Sequence, residues 1–228
     1  MKPVILSFVL AASVIVPAHS QQAEPYLTWT ADQALKTGKA MVATGRVGGV
    51  WDTRVVHTES AINYKLRATW LTPEVIRAAA RLEQLRSRLS DEQTRALVDE
   101  ADLPGQTVFL VEIDPNEGSG VIPLDWRVFL QPKGAPPGGP NAVPGTKSPA
   151  FRNIKALAGV MPRNYDYDRF WVSFPVVNEK NEPLIPPSVQ EVELIVGIYN
   201  KEGRATWRVP SSIRERITAL TKTQTQKE

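Results

Sequence analysis

VELIVGIYNKEGRATWRVP, residues 192–210, contains two alternating runs joined by a turn, and its reading decides the fold. Val192, Leu194, Val196 and Ile198 share one side of the first run, and Ala205, Trp207 and Val209 match them from the second. That period of two belongs to half-buried strands. The segment from Asn200 to Gly203 suits a type I turn, with Asn200 accepting locally and Gly203 in the left-handed position. The outward residues Glu193, Thr206 and Arg208 suit solvent or cross-strand pairing, so the hairpin is expected to be scaffold.

Working back along the chain, AINYKLRATWLT (61–72) alternates in the same way, with Ile62, Tyr64, Leu66, Ala68 and Trp70 on one face. KAMVATGRVGGVWDTRVVH (39–57) offers two strand-like runs about Gly48-Gly49, a dipeptide suited to a tight hairpin. QTVFLVEID (106–114), VIPLDWRVFLQP (121–132) and RFWVSFPVV (169–177) add further strands.

Between the strands the period changes. In TPEVIRAAARLEQLRSRLSDEQTRALVDEADLPG (72–105), Thr72 caps and Pro73 opens a helix whose Val75, Ile76, Ala79, Leu82, Leu85 and Leu89 recur at helical spacing. Ser90 and Gln93 form a capping box that starts a second helix, closed by Pro104-Gly105. Shorter helices are expected after Thr30 or Asp32, stopping at Gly38, over AFRNIKALAG (150–159), and over SSIRERITAL (211–220), where Ile213, Ile217 and Leu220 share a face.

About eight strands with one helical insertion predict a mainly β protein, an antiparallel β-sandwich, immunoglobulin-like by strand count, carrying an αα hairpin. A mixed α+β sheet is the alternative. The expected organisation is a signal peptide over 1–20, one β-rich domain over 21–217 with the helical insertion at 72–103, and a frayed tail over 218–228. PKGAPPGGPNAVPGTKSP (132–149) holds six prolines and four glycines, and is expected to form a mobile loop within that domain.

The N-terminus predicts export. Lys2, an apolar run from Val4 to Val16, and Ala18 and Ser20 at cleavage spacing have the form of a secretory signal, and the run is too short to span a membrane. Without Lys2 the balance is 26 cations to 24 anions, about +2, which gives no case for a nucleic-acid partner. No cysteine occurs, so disulfides and thiolate chemistry are excluded.

His57 is the one histidine beyond the signal, which argues against zinc sites and a Ser-His-Asp triad. Carboxylates are the remaining catalytic inventory: Asp114 with Glu117, and Asp166 with Asp168, are candidates for acid/base or glycosidic chemistry, although such residues also start turns. Asn164, Asp166 and Asp168 alternate as in some calcium sites, whereas DPNEGSGVIPLD (114–125) fails the EF-hand pattern at its fifth and sixth positions. Arg77, Arg81 and Arg88 form a basic stripe on the first long helix, suited to acidic partners or simply to solvent. Trp70 and Trp207 belong to core faces, while Trp51 after the Gly-Gly turn is a candidate platform for sugar rings.

The expectation is therefore an exported, non-enzymatic binding or structural protein without a cofactor, whose partner is an envelope protein or glycan. A carboxylate-dependent glycan-active enzyme and a carbohydrate-binding module are the alternatives.

Overall fold

The fold was analysed in a computed structural model, which describes residues 24–48, 64–103, 105–115, 126–139, 141–147, 168–178 and 182–225. Nine strands, β1 (Val42–Val47), β2 (Tyr64–Leu71), β3 (Gln106–Pro115), β4 (Arg127–Pro132), β5 (Val143–Pro144), β6 (Thr146–Lys147), β7 (Asp168–Pro175), β8 (Glu191–Ile198) and β9 (Lys201–Arg208), are described. They form a five-stranded sheet ordered β1-β2-β3-β7-β6 and a four-stranded sheet ordered β5-β4-β8-β9. Every pairing is antiparallel. The protein is thus mainly β. Among the described strands β1, β2 and β3 lie side by side in the larger sheet, whereas an immunoglobulin constant domain sends its third strand to the opposite sheet.

The alternation read from the sequence builds the core between the sheets. Tyr64, Leu66, Ala68 and Trp70 meet Val192, Leu194, Val196, Ile198, Ala205 and Trp207 in one cluster. At its centre Trp70 stacks on Phe109 with centroids 5.1 Å apart, and Trp207 meets Phe109 at 5.2 Å. Both buried indoles are satisfied: Trp70 Nε1 donates to Thr107 Oγ1 at 2.7 Å, and Trp207 Nε1 to the Met41 carbonyl at 2.9 Å. That same carbonyl accepts from the Trp70 backbone N–H, so one oxygen joins the two sheets.

The sheets also join at their corners. β1 lies against β9, and a Cβ at Gly45 would overlap the Arg204 carbonyl oxygen. One at Gly203 would lie 2.8 Å from the Arg46 carbonyl oxygen. Both positions require glycine because backbone meets backbone. On the other side the chain passes from β5 in one sheet to β6 in the other through Gly145, where a Cβ would lie 2.8 Å from the Phe174 ring.

This corrects two readings. Gly203 is a strand residue rather than the left-handed turn position; the β8–β9 turn is Tyr199-Asn200, since Ile198 pairs with Lys201. The Pro/Gly-rich segment contributes a short strand to each sheet, and Val143 packs on the core, because extended Pro-containing backbone can pair at a sheet edge. β1 pairs with β2; the second run of the hairpin expected about Gly48-Gly49, like the helix expected over 150–159, lies outside the described residues.

Helices cover the outer face of the larger sheet. α1 (Ala31–Lys39) starts at a Thr30/Gln33 capping box and runs through the buried Gly38 instead of stopping there. α2 (Pro73–Ser87) is capped by Thr72, and α3 (Asp91–Ala101) by the Ser90/Gln93 box. Val75, Ile76, Ala80 and Val98 bury against Leu71, Val108, Leu110 and Trp171 of the sheet. The apolar face of α2 is rotated from the expected seam: Ala78, Ala79 and Ala80 are buried and Leu85 is exposed, since α1 packs closely where only small residues fit. α4 (Ser211–Thr225) places Ile213, Ile217 and Leu220 on the inter-sheet core, and so extends into the stretch expected to fray.

Tyr26 packs beneath these helices. Burial, followed by the neighbouring Glu24 carboxylate, pushes its phenol up to about 12 from an ordinary 10.0. A raised phenol binds its proton more tightly when folded, so its contribution is intact below pH ~10 and is lost as pH climbs through the folded value. Denaturation midpoints should fall across that window, less steeply in Tyr26→Phe; identical slopes would remove Tyr26 as a cause.

Candidate functional site

The described sequence candidates, Asp114, Asp168, Arg77, Arg81 and Arg88, lie on different elements. Glu117, Asn164, Asp166, Trp51 and His57 lie outside the described residues. Asp114 stands on the outer face of β3 with Lys65 Nζ 3.6 Å away, while the β3–β7 register sets Asp168 across from Ile113. Next along the same face, Glu112 is 2% exposed and held by Arg169 at 3.1 Å and Arg67 at 3.9 Å. The reading of carboxylates by sequence proximity passed over Glu112, whose one signal was a lone charge within the apolar run VFLVEID. Flanked by cations, these two carboxylates suit structural ion pairs; Glu112→Gln should cost about 1–2 kcal/mol, as a buried charge-assisted bond weakens and a burial penalty is relieved. Urea denaturation checks this, and an unchanged midpoint would contradict it.

The arginine stripe is spent largely within the fold. Arg81 donates from Nε to the Trp29 carbonyl at 2.8 Å and from Nη1 to Gln84 Oε1 at 2.6 Å. Arg77 reaches Asp102 at 3.9 Å, beside the Arg216 ion pair from α4. Arg88 has left the helix: it is the left-handed C-cap residue, with φ 53°. The spacing of 4 and 7 assumed a helix reaching Leu89, two residues beyond its end at Ser87.

A groove of about 620 Å³ lies on the outer face of the four-stranded sheet. Strand register builds it in rows. Gln131, Glu193 and Thr206 form one row across β4, β8 and β9; Phe129, Ile195 and Arg204 the next; Arg127, Gly197 and Glu202 the third. The Pro/Gly-rich segment supplies Pro137 and Gly138 to the rim. The first row anchors that segment: Gln131 Nε2 donates to the Ala135 carbonyl at 2.6 Å and to Glu193 Oε1 at 3.0 Å, and Arg204 Nη1 reaches the same carboxylate at 3.0 Å.

The third row has a gap at its centre. Arg127 and Glu202 stand two strands apart, roughly 10 Å in sheet spacing, with only Gly197 between them. A Cβ at Gly197 would find no atom nearer than 4.0 Å. Gly45, Gly203 and Gly145 are each explained by a neighbour that a side chain would strike; Gly197 is not. Glycine weakens a strand by roughly 0.5–1 kcal/mol, and close approach of a ligand is one recurrent reason for it, beside bulges, bends and neighbouring backbone.

Tyr199 stands at the end of the groove, 55% exposed, with φ 54°. Left-handed backbone costs a bulky residue on the order of 1 kcal/mol and suits Asn or Gly, so a tyrosine here is a strained residue that presents its ring to solvent. Its phenol also acts on Tyr64, whose own hydroxyl group is pushed up first by burial and then by Tyr199. Sequence reasoning missed Tyr199 by placing the turn two residues later. Of the tryptophans described, Trp70, Trp126, Trp171 and Trp207 are buried and Trp29 is half-buried, which leaves Tyr199 as the most exposed large aromatic among the described residues.

Compared with protein-family models, curated proteins and solved structures, the chain matches none.

Proposed function

We propose that this chain is an exported, non-enzymatic binding protein of the cell envelope or extracellular space, and that its ligand lies in the groove of the four-stranded sheet. The observation carrying this reading is the open glycine at 197, a strand position where packing demands no glycine and where the missing side chain faces the groove. The surroundings support it. Gln131, Glu193 and Ile195 of the first two rows are buried, whereas Arg127, Tyr199, Asn200 and Glu202 are exposed, so the third row and its end are the part of this face open to a ligand. A sheet floor also holds a site more rigidly than a loop. Among the described residues no helix is long and apolar enough to cross a membrane, which agrees with a ligand met outside the bilayer.

The test uses a photoreactive amino acid in place of Tyr199, activated in the native host. Adducts should form, and Gly197→Val, which fills the third row, should abolish them while leaving the protein folded. Adducts that persist in the filled variant would place the ligand elsewhere.

A further inference from the structure

Resting on that reading of the groove, we infer that its ligand is a carboxylate-bearing saccharide, a uronate residue or its like. Three features of the third row and its end carry the inference. The first is the platform: Tyr199, exposed and held at φ 54°, offers a flat apolar ring of the kind on which the C–H face of a pyranose stacks. The second is the slot. Between β4 and β9 the empty position at Gly197 leaves about two strand spacings, wide enough for one sugar ring to reach the sheet.

The third is charge. Glu202 is engaged by Arg204 at 3.7 Å, and Arg204 also serves Glu193. Arg127, exposed at the other side of the slot, makes no hydrogen bond or ion pair from its side chain to another described residue. A planar guanidinium with unused donors beside an aromatic platform fits a carboxylate by two parallel hydrogen bonds, while the Asn200 amide and the Glu202 carboxylate are placed for ring hydroxyls. A neutral sugar would leave Arg127 without a counter-charge, and a long apolar ligand would leave the polar rim of Asn200, Lys201 and Glu202 facing hydrocarbon.

The mature chain would be titrated calorimetrically with three probes: an oligogalacturonate, a cello-oligosaccharide of the same length, and a short poly-glutamate peptide. Binding of the oligogalacturonate alone, weakened about tenfold in Arg127→Gln through loss of a charge-assisted bond, is the expected result. Tyr199→Gly should weaken it as well, and should raise the melting temperature because the strained backbone is relieved; a gain in stability with a loss of binding separates a ligand platform from a structural tyrosine. Equal binding of the cello-oligosaccharide would overturn the carboxylate. Binding of poly-glutamate alone, lost in Gly197→Val, would overturn the saccharide while sustaining the groove. Silence from all three probes would overturn the saccharide inference, with the crosslinking experiment deciding separately whether the groove is the site.

Discussion

Gly45→Val is expected to destabilise the protein by about 3 kcal/mol, near the upper end of overpacking costs. The obstacle is the Arg204 carbonyl oxygen, part of the β9 backbone, and no side-chain rotation can move it. Relief requires β1 and β9 to separate, which draws the Met41 carbonyl away from the Trp207 indole it accepts from and opens the corner between the sheets. Gly203→Val should behave alike, since Val47 and the Arg46 carbonyl face it from the opposite strand. In equilibrium urea denaturation both midpoints should fall well below the parent's. A loss under about 1 kcal/mol at Gly45, the lower bound for an overpacked site, would mean that the two edges are not in contact.

Trp70→Ala should be the costliest single truncation, about 4–5 kcal/mol by the usual range for large aromatic residues in cores. The ring is fully buried, stacks on Phe109 and meets Trp207 edge-on at 6.1 Å, so its removal opens a cavity bounded by two sheets that are tied at their corners and cannot collapse inward. Thr107 would lose its indole donor at the same time. Trp207→Ala should cost about 3–4 kcal/mol, less because its ring lies nearer the end of the core and is 6% exposed. Trp70→Phe, which keeps an aromatic ring, should recover more than half of the loss. If Trp70→Ala and Trp70→Phe fall by the same amount, packing is not what Trp70 provides.

The faces of the strands were legible in the sequence, and the register was not. Both the turn expected at Asn200–Gly203 and the turn observed at Tyr199-Asn200 put Trp207, Ala205 and the β8 valines on the inner face, because the two alignments differ by an even number of residues. Periodicity therefore gave the core correctly while hiding the strained tyrosine. Helix starts were equally legible, since Thr72, Ser90 and Thr30 cap through local bonds that depend on a few neighbouring residues. Helix faces were less so: Leu85 looks like a core residue on a helical wheel and is exposed, since the packing of α1 selects alanines on α2.

The groove was the least legible part. Arg127, Gly197 and Glu202 come from three strands and become neighbours only through register, and a strand glycine carries no sequence mark that tells an empty site from a crowded one. The same letter at 45 and 203 records backbone contact and at 197 records open space. Of the carboxylates read from the sequence, Glu117 and Asp166 lie outside the described residues; among the described ones Asp168 lies across from Ile113, and Glu112 shares the outer face of β3 with Asp114.

The central claim is that position 197 is glycine for the sake of a ligand and not for the sake of the fold. Equilibrium denaturation of Gly197→Val tests it most directly, because a β-branched residue suits a strand and nothing stands in its way. The account predicts a midpoint equal to or above the parent's, by up to roughly 1 kcal/mol. A fall comparable to that of Gly45→Val would contradict it, and would make Gly197 one more glycine that the architecture itself requires.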